Sequence, residues 1–279
     1  MKISYPPIRV HVWGGLGSQL YAWAFSIDLG IRFPRRRIVL VLHDGGVTKR
    51  KSELHAFLPP DLIEIVHDFN LPSNKVRLLI QKGIRLTLRI LGFTRSGNLF
   101  SIGTILLPWI VSFRGHYSTR ELSIESATHI RARILSLPNI FPDGFVEPDI
   151  ALHYRLGDLL TLTTKAPLSP ELVLAGLSLA QQAIKSELAI AVCSDSPEEA
   201  VRRISEGAGC EVYQVALPPL QTIRYLISAK IFVGTPSKIS EWVVLLRSLQ
   251  THGRLTFLPD QMRNQMNCVL PHSDSISYY

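Results

Sequence analysis

Short apolar runs alternate with stretches of helical periodicity along most of this chain, which is the pattern of parallel strands joined by helices. Residues 8–13 read as a strand that runs into the turn Gly14-Gly15-Leu16-Gly17-Ser18-Gln19 and then into a helix over residues 20–31. Residues 37–43 and 63–67 read as further strands, the first closed by a turn at Asp44. Residues 100–117 are apolar but broken by Gly103, Pro108 and Gly115, and residues 123–137 carry a helix pattern that Ser123 is placed to cap. A linker is expected at residues 138–144. Beyond it the alternation becomes regular. Strands at 150–154, 188–193, 211–215, 230–233 and 255–258 are interleaved with helices at 170–186, 197–206, 220–227 and 237–249. The pattern predicts an α/β protein with a Rossmann-like domain over 1–144, a second over 145–260, and a polar, aperiodic tail over 261–279 that is either loosely ordered or returns to the first domain.

The polar residues that interrupt this pattern fall at strand ends. Asp149-Ile150-Ala151-Leu152-His153-Tyr154-Arg155-Leu156-Gly157-Asp158 is an apolar run that ends in ionisable side chains and a glycine. In open α/β sheets, ligands bind outside the carboxyl ends of the strands. Arg155 there calls for an anion; the competing reading is an Arg155–Asp158 ion pair with His153 as a core histidine. The next strand ends carry Ser194 and Asp195, then Gly234 and Thr235, with Ser237 and Ser240 opening a helix. Arg155 with the hydroxyls and N–H groups from Thr235 to Ser240 suits a diphosphate, and Asp195 suits a base or ribose, so the set reads as a nucleotide site. Each has a structural alternative. Ser237 is a helix cap in its own right, and Ser194-Asp195-Ser196-Pro197 is a good generic cap. The glycine turn is weak evidence for the same chemistry, and Leu20 stands where a G-x-G-x-x-G fingerprint needs its third glycine.

Composition narrows the classes. Apolar residues make up 46% and charged residues 19%, which excludes a disordered chain, and three scattered cysteines, Cys193, Cys210 and Cys268, form no disulfide framework and suit a reducing compartment. No Asp-x-Asp and no His/Cys cluster at ligand spacing occurs, so neither a metal nor a metal-bound diphosphate is expected. The first residues lack a secretory pattern and no apolar run reaches bilayer length, which predicts a cytoplasmic protein. A net charge of +8 suits a phosphate-bearing substrate, an anionic lipid surface or nucleic acid. It concentrates over residues 75–95, where Lys75, Arg77, Lys82, Arg85, Arg89 and Arg95 have no acidic residue among them and Leu78, Ile84, Leu88 and Leu91 recur at near-helical spacing. That is a basic amphipathic helix, either peripheral on an anionic membrane or packed on its own sheet.

Four motifs in order resemble those of the α-1,2-fucosyltransferases. Gly14-Gly15-Leu16-Gly17-Ser18-Gln19 is similar to their G-G-L-G-N-Q opening, His153 to Asp158 to H-x-R-R-G-D, Cys193-Ser194-Asp195 to S-D-D, and residues 233–242 to S-N-S-x-F-S-W-W. Ser18, Leu156, Ser196 and Glu241 depart from it. The resemblance implies a GT-B-like fold of two Rossmann-like domains facing across a cleft, a GDP-fucose donor, and metal-independent inverting transfer to a sugar hydroxyl of a glycan. No cofactor and no nucleic acid partner are expected. Arg155, His153 and Asp158 take the catalytic positions, with Asp158 either a base or a support for Arg155, and Asp28 and Glu53 as other candidate bases. Gly14, Gly15, Gly17, Gln19, Asp195, Thr235, Ser237 and Ser240 take the donor-binding ones. A transferase for another GDP-sugar, a non-catalytic nucleotide- or glycan-binding protein, and, least supported, a nicotinamide-dependent dehydrogenase using Gly15, Gly17 and Asp44 are the alternatives.

Overall fold

The computed structural model describes residues 5–44, 52–67, 83–84, 86–91, 93–96, 110–115, 117–119, 122–138, 148–162, 165–184, 189–250, 254–264 and 275–279. The chain divides into two compact units, Met1–Ala127 and Thr128–Tyr279. Of the linker expected at 138–144, only Pro138 is described; its carbonyl accepts from Gln221 at 3.0 Å.

The first unit is built on a parallel sheet of β1 (Ile8–Val12), β2 (Ile38–Asp44), β3 (Ile63–His67), β4 (Thr94–Ser96) and β5 (Ser112–Arg114), in the order β3-β2-β1-β5-β4. β1 is central and buries every residue but Arg9, as suits a strand with neighbours on both sides. Helix α1 (Leu16–Arg32) begins earlier than the apolar period suggests, because Gly14, at φ +99°, turns the chain directly into it. Phe25 of α1 meets Phe113 and Tyr117 edge-on and face-on, each at 5.1 Å. Helix α2 (Ile124–Leu135) is capped as expected: the Ser123 hydroxyl accepts from Ser126 N at 3.0 Å and donates to Asp28.

Two features of this unit differ from the sequence reading. β4 and β5 escape it because Thr-Arg-Ser and Ser-Phe-Arg are too short and too polar to carry a period. The basic helix expected over 75–95 stops short of its end: residues 83–84 and 86–90 are helical, but Arg95 lies in β4. Residues 68–82 lie outside the described ones. Ile84, Leu86, Leu88, Ile90 and Leu91 are all exposed, so this helix does not bury an apolar stripe.

The second unit has a parallel sheet of β6 (Ile150–His153), β7 (Ile190–Cys193), β8 (Val212–Gln214), β9 (Ile231–Gly234), β10 (Leu255–Leu258) and β11 (Ile276–Tyr278), in the order β11-β10-β9-β6-β7-β8. The chain enters at the centre, moves to one edge, then returns and builds to the other. The order therefore reverses between β6 and β9, where such sheets open a crevice for a ligand. Helices α3 (Pro170–Ile184), α4 (Pro197–Ile204), α5 (Pro219–Ser228) and α6 (Lys238–Ser248) connect the strands. Every residue of β6, β7 and β9 is buried. The tail differs from its reading as aperiodic: its end pairs with β10 as an edge strand, three residues being too few to show alternation.

A buried arginine locks this unit. Arg247 of α6, 3% exposed, donates to the carbonyls of Ala229 (2.6 Å), Leu255 (2.8 Å) and Lys230 (3.1 Å), joining the exit of α5 to the starts of β9 and β10. Burial, reinforced by Arg254, pulls its pKa down to about 9, which still leaves it charged near neutrality. Removing the guanidinium strands several buried acceptors at once. Arg247→Met is expected to cost roughly 3 kcal/mol, read as a lower urea midpoint at unchanged slope; an unchanged midpoint would contradict this role.

Candidate active site

The residues at the carboxyl ends of β6 and β9 are tied together by one hydroxyl. Thr235 Oγ1 donates to the His153 carbonyl at 2.9 Å and accepts from Arg155 N at 2.9 Å, while Thr235 N also reaches the His153 carbonyl at 3.1 Å. The backbone leaving β6 is thus pinned to the backbone leaving β9, and Arg155 is held at the reversal.

A second tie comes from β7. Asp195 Oδ1 accepts from Leu156 N at 2.9 Å. Gly157 makes this possible, since a Cβ there would lie 2.1 Å from Asp195 Oδ2. The sequence names Asp195 and marks the glycine that ends the 149–158 run, but gives Gly157 no role, because the close approach of Asp195 comes from a separate strand. The generic cap expected at Ser194-Asp195-Ser196-Pro197 does not form as such: Ser196 makes no side-chain cap bond to α4, and Ser194 Oγ instead accepts from Ser196 N at 3.0 Å.

Both readings of Arg155 and Asp158 meet here. Arg155 Nη2 donates to Asp158 Oδ1 and Oδ2 at 2.9 and 3.2 Å, with the two side chains 26% and 32% exposed. Arg155 is paired, yet it faces a cavity of about 500 Å³ that it lines with Leu159, Pro167, Thr235, Gln261 and Tyr279. Leu168, which also lines the cavity, is held by Tyr154, whose hydroxyl donates to the Leu168 carbonyl at 2.7 Å and so fixes the segment leading into α3. Tyr279 donates to the Gly234 carbonyl at 3.3 Å. Nothing in the sequence marks Tyr279, because its place depends on an edge strand that has no period.

His153 sits behind this surface, 8% exposed. Its Nδ1 lies 2.9 Å from Ser240 Oγ and 3.3 Å from Ser237 Oγ. Ser237 caps α6 by accepting from Ser240 N at 3.0 Å, and its hydroxyl donates to Ser240 Oγ at 3.1 Å. In either tautomer the neutral imidazole meets this serine pair through Nδ1. Burial lowers the His153 pKa to about 4; Asp195 opposes this and Arg155 reinforces it. The imidazole is neutral at pH 7. Cys193, at the end of β7, is inert for a related reason, burial raising its thiol to about 12.

His153, Arg155, Asp158, Asp195, Thr235, Ser237 and Ser240 therefore converge in the second unit. Gly14, Gly15, Gly17 and Gln19 form a separate group in the first. Gln19 is buried; it donates to the Gly14 carbonyl at 2.9 Å and accepts from the backbone N–H groups of Glu53 (3.0 Å) and Leu54 (3.2 Å), which braces the turn. Beside it is a cluster that the sequence reading did not single out. His11 Nδ1 lies 2.9 Å from His43 Nε2, Trp13 stacks on His43 at 4.0 Å, and the Arg114 guanidinium stands 5.7 Å from the Trp13 ring. These residues mark the carboxyl ends of β1, β2 and β5. Of the other candidate bases, Asp28 is buried and accepts from Ser123. Among the described residues, no three His, Cys, Asp or Glu side chains converge as metal ligands.

No family model and no curated protein matches the sequence. Solved structures do match it. The E. coli heptosyltransferase WaaC with ADP aligns over 98% of this chain and 92% of its own, at 11% identity and a TM-score of 0.51. The α-1,6-fucosyltransferase NodZ with GDP aligns over 86% of this chain and 92% of its own at 16% identity and a TM-score of 0.46. POFUT1 with GDP-fucose aligns over 92% of this chain and 98% of its own at 12% identity and a TM-score of 0.46. The fold is the α/β class expected from the sequence, two parallel sheets with helices, matching the GT-B architecture of WaaC.

The buried neutral His153 gives the fold a pH dependence. Unfolding returns it to an ordinary pKa near 6.5, so below that value the unfolded chain takes up a proton that the folded chain refuses until about pH 4. Stability contributed by this group is intact above pH 6.5 and is expected to fall by about 3 kcal/mol as pH drops to 4. His153→Gln should flatten that part of the urea-midpoint profile; an identical profile in the variant would contradict the assignment.

Proposed function

We propose that the crevice between β6 and β9 binds the diphosphate of a nucleotide sugar and that the protein is a glycosyltransferase. The donor on this reading is GDP-fucose and the acceptor a sugar hydroxyl of a glycan, in α-1,2 linkage. One observation carries it: Arg155, the cation placed on an anion by its sequence context, lines a cavity of nucleotide size at the strand-order reversal. The four motifs that resemble the α-1,2-fucosyltransferases support the finer reading of donor and linkage.

The chemistry follows from charge. The acceptor oxygen bonds to the anomeric carbon, the bond from that carbon to the diphosphate oxygen breaks, and its electron pair leaves with the nucleotide, while the hydroxyl proton passes to a base. Negative charge grows on the leaving diphosphate. Arg155 and the start of α6, an eleven-residue helix capped by Ser237, are placed to stabilise it. Neutral His153 holds Ser240 and Ser237 in position behind them. Asp158 orients the Arg155 guanidinium. No metal enters this scheme.

One observation favours the non-catalytic alternative. Leu156, where the resembling motif has a second arginine, is fully buried in the core of the second unit and presents no charge. The two readings separate on incubation with GDP-fucose and a panel of galactosides, alongside other GDP- and ADP-sugars. Transfer is expected, and Arg155→Ala should lower it by about 100-fold or more at an unchanged urea midpoint. Near-normal activity in that variant would remove Arg155 from the diphosphate. Nucleotide binding without transfer or hydrolysis of any donor would make the protein a binding protein.

We further propose that the helical residues 83–84 and 86–90 meet an anionic lipid surface. Their aliphatic side chains are exposed, and the surrounding sequence over 75–95 is basic without a single carboxylate. No helix among the described residues is long and apolar enough to cross a membrane, so the contact is peripheral. The protein should cosediment with phosphatidylserine vesicles at low salt and be released as salt rises; no binding at low salt would end this proposal.

A further inference from the structure

One cation does not balance the charge of a nucleoside diphosphate. Arg155 contributes one cation, half-shielded by Asp158. The next side chain, Leu156, points into the core, and a nucleoside diphosphate brings more than one negative charge. In a site without a metal ion, further cations have to come from the chain.

Two lysines stand at the same crevice. Lys238 is the first residue of α6, directly after Ser237, which contacts His153, and two residues beyond the cavity-lining Pro236. It is half-buried, a position at which an ammonium is partly stripped of water. Lys165 directly precedes Ala166 and Pro167, which line the cavity on the segment held by Tyr154. Burial lowers the Lys238 pKa, Glu241 partly offsets this, and both Arg155 and Lys165 are near enough to lower it further. The three segments that carry these cations, the exits of β6 and β9 and the approach to α3, meet at the cavity, which Arg155, Pro236 and Pro167 line.

We infer that Lys238, assisted by Lys165, is a binding residue for the diphosphate and supplies from the start of α6 the charge that position 156 does not. This rests on the reading of the crevice as a nucleotide-sugar site. It also makes recognition depend on the phosphates in particular, since Lys238 stands on the phosphate-facing start of the helix.

The test is calorimetric titration of the full chain with GDP, ADP, GMP and inorganic pyrophosphate, in wild type, Lys238→Met, Lys238→Arg and Lys165→Met, with urea midpoints measured alongside. Loss of a charge-assisted contact corresponds to a roughly 10- to 100-fold weaker affinity. That loss is expected for GDP and pyrophosphate in Lys238→Met, with a smaller one for GMP, a milder one in Lys165→Met, and recovery to within about threefold of wild type in Lys238→Arg. Wild-type affinity for GDP and pyrophosphate in a folded Lys238→Met overturns this inference and leaves the nucleotide site standing. Absence of binding of all four ligands to the wild type overturns the nucleotide site itself and the inference with it.

Discussion

The Thr235 hydroxyl is the joint on which the second unit's crevice depends. Parallel strands that diverge at a reversal leave their last backbone groups without ladder partners, and a buried unpaired group costs about 1–3 kcal/mol. Thr235 satisfies two of them at once, the His153 carbonyl and the Arg155 N–H. Asp195 performs the same service one residue later, at Leu156 N, and only a glycine at 157 lets its carboxylate come that close. A strand end that would otherwise fray becomes a rigid platform. That platform holds the Arg155 backbone, and Asp158 orients its guanidinium.

The electrostatics of the platform suit a surface that waits for an anion. The Arg155–Asp158 pair is about a quarter to a third exposed, and pairs of that kind are worth little, on the order of 0–1 kcal/mol. A phosphate that takes part of the guanidinium therefore forfeits little, and Asp158 keeps the rest of it oriented. Behind the pair, burial keeps His153 neutral, so it braces the cap of α6 without adding a charge that would have to be compensated. The ion-pair reading of Arg155 and Asp158 and the proposed anion site are thus compatible.

The long elements were legible because they have a period. The central strands β1, β2, β6, β7 and β9 and the helices α1 to α6 bury continuous or periodic apolar sets, and their order alone leads to two parallel sheets. The three-residue strands β4, β5 and β11 carry no period and exist only through pairing with longer neighbours. Within the site, the ionisable residues at strand ends were legible as polar interruptions of apolar runs. Tyr279 and the role of Gly157 were not, since they come from partners remote in sequence: an edge strand and the Asp195 carboxylate. Ser196 shows the converse. Its local sequence promises a helix cap, and the fold leaves that hydroxyl out of the cap while Asp195 turns to the loop after β6.

Amide hydrogen exchange in the presence and absence of saturating GDP tests most directly whether the β6–β9 crevice is the nucleotide site. Protection is expected in the peptides covering residues 155–158 and 235–240, whose N–H groups surround the proposed diphosphate. Protection confined to the glycine turn at residues 14–19, with 155–158 and 235–240 unchanged, would contradict it.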